Sequence, residues 1–255
     1  MKKTILFLGH KPIGEQCFKY LLKEQEEDLK IATVVTNLDK DNWWKSNKIY
    51  TLAKKLNIPI ISNKTRATNE IIKAINKYNI NTIISAQSPW IIESQILQMV
   101  NYFAFNLHNA KLPDYRGHNI TSHAILNGNK VYTTTLHWIS DKVDCGNIIA
   151  ERTIDITSTD TAKSIYNKSQ KESFKLFKQL LQYFKSDSLP IGTPLSNNLG
   201  KFYKKDLLNK HREIKNINEF DVKSRAFYFP PFEPSFLIVN NKKFYILPKE
   251  FFNEG

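Results

Sequence analysis

Apolar and polar positions follow two periods along this chain, and each change of period marks an element. Thr4 to Leu8 is a short apolar run with the length of a buried strand, followed by Gly9-His10-Lys11-Pro12-Ile13-Gly14. From about Glu15 to Gln25, Cys17, Phe18, Leu21 and Leu22 recur at helical spacing. Strand, glycine-containing turn and helix open a doubly wound α/β fold. The pattern continues with a strand at Ile31 to Thr36, a short helix at Tyr50 to Leu56, a short strand near Ile58 to Ile61 and a helix at Thr68 to Tyr78. Thr82 to Ala86 reads as a buried strand. The loop Gln87 to Ile92 then falls at its carboxyl end, the edge where open α/β sheets bind ligands. Further strands are predicted at Tyr102 to Leu107, Tyr132 to Trp138 and Asn147 to Ile156, with a short helix at Ile120 to Asn127 and a loop at Ser140 to Gly146. Thr159-Asp160 predicts the cap of a long helix ending near Phe184, with Ile165, Leu176, Phe177, Leu180, Leu181 and Phe184 on its apolar side.

Past Lys185 the composition shifts. Residues 186–200 are rich in Ser, Pro, Asn and Gly and read as a linker. Residues 1–185 form the α/β domain, and 201–255 a small α+β appendage. Its end predicts a β-hairpin, Phe236 to Val239 and Phe244 to Leu247, around Asn240-Asn241, which supply the positive-φ positions of a tight turn. The polar stretch from Asn37 to Lys48 carries Trp43-Trp44, which reads as a lid, a partner surface or a pair packed on the core.

A chain of 255 residues can bury a substantial core. Its formal charge of +13 suits nucleic acid or a phosphorylated small substrate. The lysines are scattered over the solvent sides of helices with no arginine block, so solvated surface is the main reading and nucleic acid is not expected. Two cysteines, Cys17 and Cys145, suggest neither a disulfide framework nor a metal site. The expectation is a cytoplasmic protein with reduced thiols. No apolar run approaches the ~20 residues of a membrane span, and the basic, short N-terminal apolar stretch reads as a first strand, not a signal peptide.

The stretch Phe103 to Gly117 gathers chemistry. Strand alternation puts Asn106 and His108 on one face and Leu107 on the other, just before a Pro-containing loop. An amide and an imidazole at a strand end suit polar chemistry, and equally suit satisfied polar side chains. The turn after the first strand has two glycines and lacks the three of a dinucleotide fingerprint. Its backbone N–H groups, with Lys11 beside them, can hold an anion.

The order Asn106-Leu107-His108, Leu112-Pro113-Asp114-Tyr115-Arg116-Gly117, Ala124-Ile125-Leu126-Asn127-Gly128, Thr135-Leu136-His137-Trp138 and Asp144-Cys145-Gly146-Asn147-Ile148-Ile149 resembles the catalytic domain of the 10-formyltetrahydrofolate-dependent formyltransferases over about residues 1–185. The resemblance implies a Rossmann-like domain and a catalytic Asn106, His108 and Asp144. It also implies N10-formyltetrahydrofolate as co-substrate, held by the loop Ser88, Pro89, Trp90 and Ile91 and by Ile139, Asp141 and Val143. The segment Arg225 to Pro234 with the hairpin resembles the tail of the nucleotide-sugar N-formyltransferase branch, which formylates amino sugars for surface polysaccharide such as O-antigen. That branch implies a dTDP-linked amino-dideoxy sugar, with dTDP-4-amino-4,6-dideoxyglucose foremost, and a homodimer. His10, Lys11 and Arg116 are then candidates for the diphosphate, and Tyr228, Phe229 and Phe232 for the base, although a small aromatic core or a dimer contact explains these three as well. Methionyl-tRNA formyltransferase is the enzyme alternative, and a non-catalytic folate- or nucleotide-binding module the other. Three departures from the family pattern are His123 where an aromatic residue is common, Asn109 where Pro is usual, and Cys145 in place of Thr, which is expected to loosen its loop.

Overall fold

In the computed structural model, residues 2–38, 42–62, 67–195, 200–249 and 251 are described. The strands are β1 (Lys3–Gly9), β2 (Leu29–Thr36), β3 (Ile60–Ser62), β4 (Thr82–Ala86), β5 (Ala104–His108), β6 (Tyr115–Gly117), β7 (Val131–Trp138), β8 (Ile148–Asp155), β9 (Lys201–Tyr203), β10 (Ser235–Val239) and β11 (Lys242–Ile246). The α-helices are α1 (Lys11–Lys23), α2 (Lys48–Lys55), α3 (Thr68–Tyr78), α4 (Ser94–Met99), α5 (Ile120–Leu126), α6 (Ala162–Ser186) and α7 (Phe220–Ala226). The main sheet has the order β3-β2-β1-β4-β5-β7-β8. β3, β2, β1, β4 and β5 run parallel, and β7 is antiparallel to β5. Strand order reverses between β1 and β4, the switch point at which open sheets take ligands.

The chain divides into two compact units. The first comprises Met1–His108, Thr135–Glu151 and Ser173–Asn198. Its central strands β1 and β4 are buried on both faces, which is why they read as apolar runs without alternation. Ile5 and Phe7 pack with Ile13, Cys17, Phe18 and Leu21 of α1 and with Leu176, Phe177 and Leu180 of α6. Leu6 and Leu8 point the other way, onto Ile71 and Ile75 of α3 and Ile96 and Leu97 of α4. Helix α1 begins four residues earlier than its apolar spacing suggested. Pro12 sits in its first turn, where a missing N–H costs nothing. Gly14 lies inside the helix because a Cβ there would come within 2.9 Å of the Gly9 backbone. The two-glycine turn is therefore reduced to His10, with Gly14 N–H donating to the His10 carbonyl at 3.0 Å. Part of the expected linker is tied down: Thr193 exchanges both backbone hydrogen bonds with Ile148, at 2.7 and 2.8 Å. Residues 196–199 of that stretch lie outside the described residues, as do 39–41 of the polar loop.

The second unit comprises Asn109–Thr134, Arg152–Glu172 and Leu199–Gly255. Its core gathers Ile120, Ala124 and Ile125 of α5 with Tyr132, Ile165, Tyr203, Leu208 and Phe227. β6 pairs in parallel with β9, two three-residue strands that carry no period in the sequence. The cap of α6 is Thr161 rather than Thr159-Asp160. Thr161 and Ser164 exchange hydrogen bonds, each side-chain oxygen accepting from the other's backbone N–H at 2.9 and 3.1 Å. Asp160 accepts from the Ser164 hydroxyl and the Lys168 ammonium, both at 2.7 Å. The hairpin β10–β11 turns at Asn240 (φ 48) and Asn241 (φ 60), both left-handed as the asparagine pair predicts.

Candidate active site

β5 ends the run of parallel strands, and its last residues face β7 in antiparallel register. Asn106 lies opposite His137, and His108 opposite Thr135. Opposed side chains on neighbouring strands share a face, so Asn106, His108 and His137 come to one side of the sheet. Asp144 reaches the same place from the loop between β7 and β8. Its Oδ1 is 3.6 Å from His108 Nδ1 and 3.7 Å from His137 Nε2. These are ion-pair distances, longer than a hydrogen bond. The His108 and Asp144 side chains are mostly enclosed, at 13 % and 14 % exposure, and that of His137 is at 2 %. The Asp144 carboxylate and the His108 imidazole thus face each other in a largely enclosed place.

The loop that carries Asp144 is shaped by short local bonds. Trp138 N–H donates to the Asn147 carbonyl at 2.9 Å and closes its base. Asp144 itself has φ 53, a left-handed conformation that Asp and Asn tolerate better than other side chains. Gly146 is required by close approach, since its Cβ would lie 1.8 Å from the Trp138 carbonyl oxygen. Cys145 keeps a tie of its own, its thiol donating to the Val143 carbonyl at 3.3 Å, so the exchange of Thr for Cys leaves a hydrogen bond in place.

His137 was legible only as a polar residue in an alternating strand. It is buried, and burial holds its imidazole down to about 4, with the nearby Asp144 opposing and His108 reinforcing that shift. Its Nδ1 lies 2.7 Å from the Trp138 carbonyl and its Nε2 3.1 Å from Asn106 Nδ2. A histidine between Leu136 and Trp138, two apolar residues at the end of the strand, was the available signal.

The residues expected at a pterin also belong to the first unit. Trp90 and Ile139 are partly buried against the α3–α4 face of the sheet. Ile91 and Val143 are held out at 63 % and 45 % exposure. Ser88 Oγ accepts from Trp90 N–H at 3.3 Å. The Asp141 carboxylate accepts from the Tyr102 hydroxyl at 3.1 Å. Ile91 and Val143 are thus apolar side chains exposed on two loops of the first unit, beside backbone that is tied locally, Ile139 N–H donating to the Ala104 carbonyl at 2.8 Å.

His10 and Lys11 sit at the carboxyl end of β1, at the switch point. Burial first, and the Lys11 charge second, hold the His10 imidazole down to about 4. Of the cationic and donor roles open to His10, only the neutral one remains at pH 7. Burial also lowers the Lys11 ammonium below its ordinary value. The Trp44 ring meets His10 edge-on, with centroids 4.8 Å apart, and Trp43 packs against Trp44. In the second unit, Arg116 lies in β6 and is half-buried. Tyr228 is buried, while Phe229 packs on Tyr166 with the Lys163 ammonium 4.8 Å from its ring. Phe232 is 54 % exposed beside Phe229. His123 is buried against Tyr203, with ring centroids 4.2 Å apart.

Comparison with known proteins places this geometry among relatives. The chain is 29% identical over 223 residues to the bifunctional polymyxin resistance protein ArnA of Wigglesworthia glossinidia brevipalpis, covering 84% of this chain and 33% of that protein. It is 26% identical over 251 residues to the GDP-perosamine N-formyltransferase of Brucella melitensis biotype 1, covering 95% of this chain and 91% of that one. Among solved structures, the sugar 3N-formyl transferase WlaRD, in the presence of dTDP and 5-N-formyl-THF, superposes with a TM-score of 0.72 at 25% identity, over 95% of this chain and 85% of that one. The chain spans from 33% to 58% of the length of the first curated relatives it matches. Residues 1–181, which contain Asn106, His108, His137 and Asp144, match the formyl transferase family along their whole length, and the chain belongs to that family.

Proposed function

We propose that this protein is a sugar N-formyltransferase that moves a formyl group from N10-formyltetrahydrofolate to the amine of a dTDP-linked amino-dideoxy sugar, with dTDP-4-amino-4,6-dideoxyglucose the first acceptor to test. The observation that carries formyl transfer is the placing of the Asp144 carboxylate beside His108, with the Asn106 amide on the same strand face. The sugar acceptor is supported by the end-to-end likeness, in length, to an enzyme whose name gives an amino-sugar substrate.

When bound, the folate supplies a formyl group on a nitrogen that can leave. Asn106 provides a neutral N–H donor for the formyl oxygen as it gains negative charge, an effect worth ~10²–10³ in rate. His108, when protonated, gives its proton to the departing nitrogen, worth ~10²–10⁴. Asp144 either pairs with that charged imidazole or accepts the proton the attacking ammonium must lose. In this reading residues 1–185 do the chemistry, 186–200 link and 201–255 append, and Arg116 with Tyr228, Phe229 and Phe232 serves the nucleotide. The enzyme works as a cytoplasmic homodimer in surface-polysaccharide assembly.

The test is tetrahydrofolate release measured with dTDP-3-amino and dTDP-4-amino sugars, GDP-perosamine and methionyl-tRNA as separate acceptors. Release that requires a dTDP-amino sugar supports the proposal. Release with methionyl-tRNA alone, or with none of them, overturns it.

A further inference from the structure

We propose that His137 is a positioning residue, which in its Nδ1–H tautomer turns the Asn106 amide so that one N–H is held back and the other is aimed into the site. The proposal rests on the formyl-transfer reading for its consequence, and on hydrogen-bond chemistry alone for the tautomer.

The argument begins at the Trp138 carbonyl. A carbonyl oxygen only accepts, so the 2.7 Å contact requires the proton on His137 Nδ1. A second proton on Nε2 would make an imidazolium at 2 % exposure, which burial opposes. Nε2 therefore presents a lone pair, and the group 3.1 Å away must donate to it. Asn106 can do so only through Nδ2. The two ends of a carboxamide are otherwise interchangeable in shape, and this one bond distinguishes them. With one N–H given to His137, Asn106 keeps a single N–H for the site, with its direction set by the plane of the amide.

Two features make the arrangement rigid. The register opposes Asn106 and His137 across β5 and β7, so neither can slide without breaking the ladder. The tautomer is set by a main-chain carbonyl, whose oxygen cannot rotate away from its strand. Asp144 Oδ1, 3.7 Å from Nε2, gains from this as well. With Nε2 unprotonated and already accepting, the carboxylate has no donor there and is left to His108. A one-proton change at His137 would turn Asn106 over and offer Asp144 a second cation.

The test is a double-mutant cycle with a spectroscopic arm. His137→Phe keeps a planar ring and removes both nitrogens. Its kcat is expected to fall on the order of 10²-fold, as for a misaligned catalytic group, with KM for both substrates within about threefold of wild type. In an Asn106→Ala background, His137→Phe should cost less than about twofold more, because the residue through which it acts is gone. Losses that multiply would overturn the proposal. If His137→Phe does not fold, His137→Leu, which likewise removes both nitrogens, takes its place in the cycle under the same criterion. The second arm uses the wild-type chain labelled with ¹⁵N-histidine. His137 should show a protonated Nδ1 and an unprotonated Nε2 at pH 7, and the Nε2 signal should move in Asn106→Ala. A protonated Nε2, or a signal indifferent to Asn106, overturns it. This arm needs no substrate, so a failure of the proposed activity and a failure of the positioning role are seen separately.

Discussion

Gly146→Ala should damage both stability and turnover through a single backbone contact. The added Cβ would stand 1.8 Å from the Trp138 carbonyl oxygen and 2.6 Å from its carbon. Carbon and oxygen do not ordinarily approach closer than about 3.3 Å. The loop or the end of β7 must therefore move by roughly 1.5 Å. That carbonyl is the acceptor for His137 Nδ1, and the Trp138 N–H bond to Asn147 lies at the same junction. Overpacking costs about 1–3 kcal/mol, and losing one hydrogen bond adds about 1 kcal/mol. The sum, about 2–4 kcal/mol, lowers Tm on the order of 5–15 °C for a chain of this size. Asp144, two residues away, is displaced by a comparable distance, and misplacement of this order costs roughly 10² in rate. Thermal melting and steady-state turnover of the same preparation measure both effects. Gly128→Ala is the control. Its Cβ meets nothing within 4 Å, and only its φ of 71 is strained, so about 1 kcal/mol and unchanged turnover are expected. A Gly146→Ala protein with wild-type Tm and rate would refute the close approach and the loop geometry built on it.

Two other outcomes follow from burial. His10, His123 and His137 are each held down to about 4 from an ordinary 6.5, chiefly by burial. Between those values the unfolded chain binds protons that the fold excludes, so stability is full above about pH 6.5 and is lost as pH falls toward 4. At pH 5 this amounts to about 2 kcal/mol for each of the enclosed His123 and His137, and less for half-buried His10. Denaturant midpoints at pH 7.5 and 5 check it, and a flat profile would show that these imidazoles titrate normally. Phe177→Ala empties a fully buried site between Phe7 and Tyr20. It should cost about 3–5 kcal/mol, and a melting temperature within a degree or two of wild type would contradict that packing.

The sequence was most legible where one physical cause acts alone. α3 and β4 fall at the bounds read from apolar spacing, and the Asn240-Asn241 turn follows from the φ tolerance of two adjacent residues. It was least legible where the cause lies elsewhere in the chain. α4 is six residues of ordinary composition, whose buried side is set by the sheet it covers. β6 and β9 pair across more than eighty residues with three residues each, too few for any period. Gly14 looked like part of a turn because its reason, the Gly9 backbone behind it, is tertiary. The resemblance to the formyltransferases similarly brought forward Asn106, His108 and Asp144, whereas the place of His137 opposite Asn106 appears only once the register of β5 and β7 is known.

Formyl transfer by Asn106, His108 and Asp144 is tested most directly by single-turnover rates of Asn106→Ala, His108→Ala and Asp144→Asn with N10-formyltetrahydrofolate and the best dTDP-amino sugar, alongside calorimetric binding of that sugar nucleotide. Asn is chosen at position 144 because it tolerates the left-handed backbone there. Each variant is expected to lose at least ~10² in rate while binding the sugar nucleotide within a few-fold of wild type. A variant that transfers the formyl group at close to the wild-type rate would contradict the role assigned to its residue.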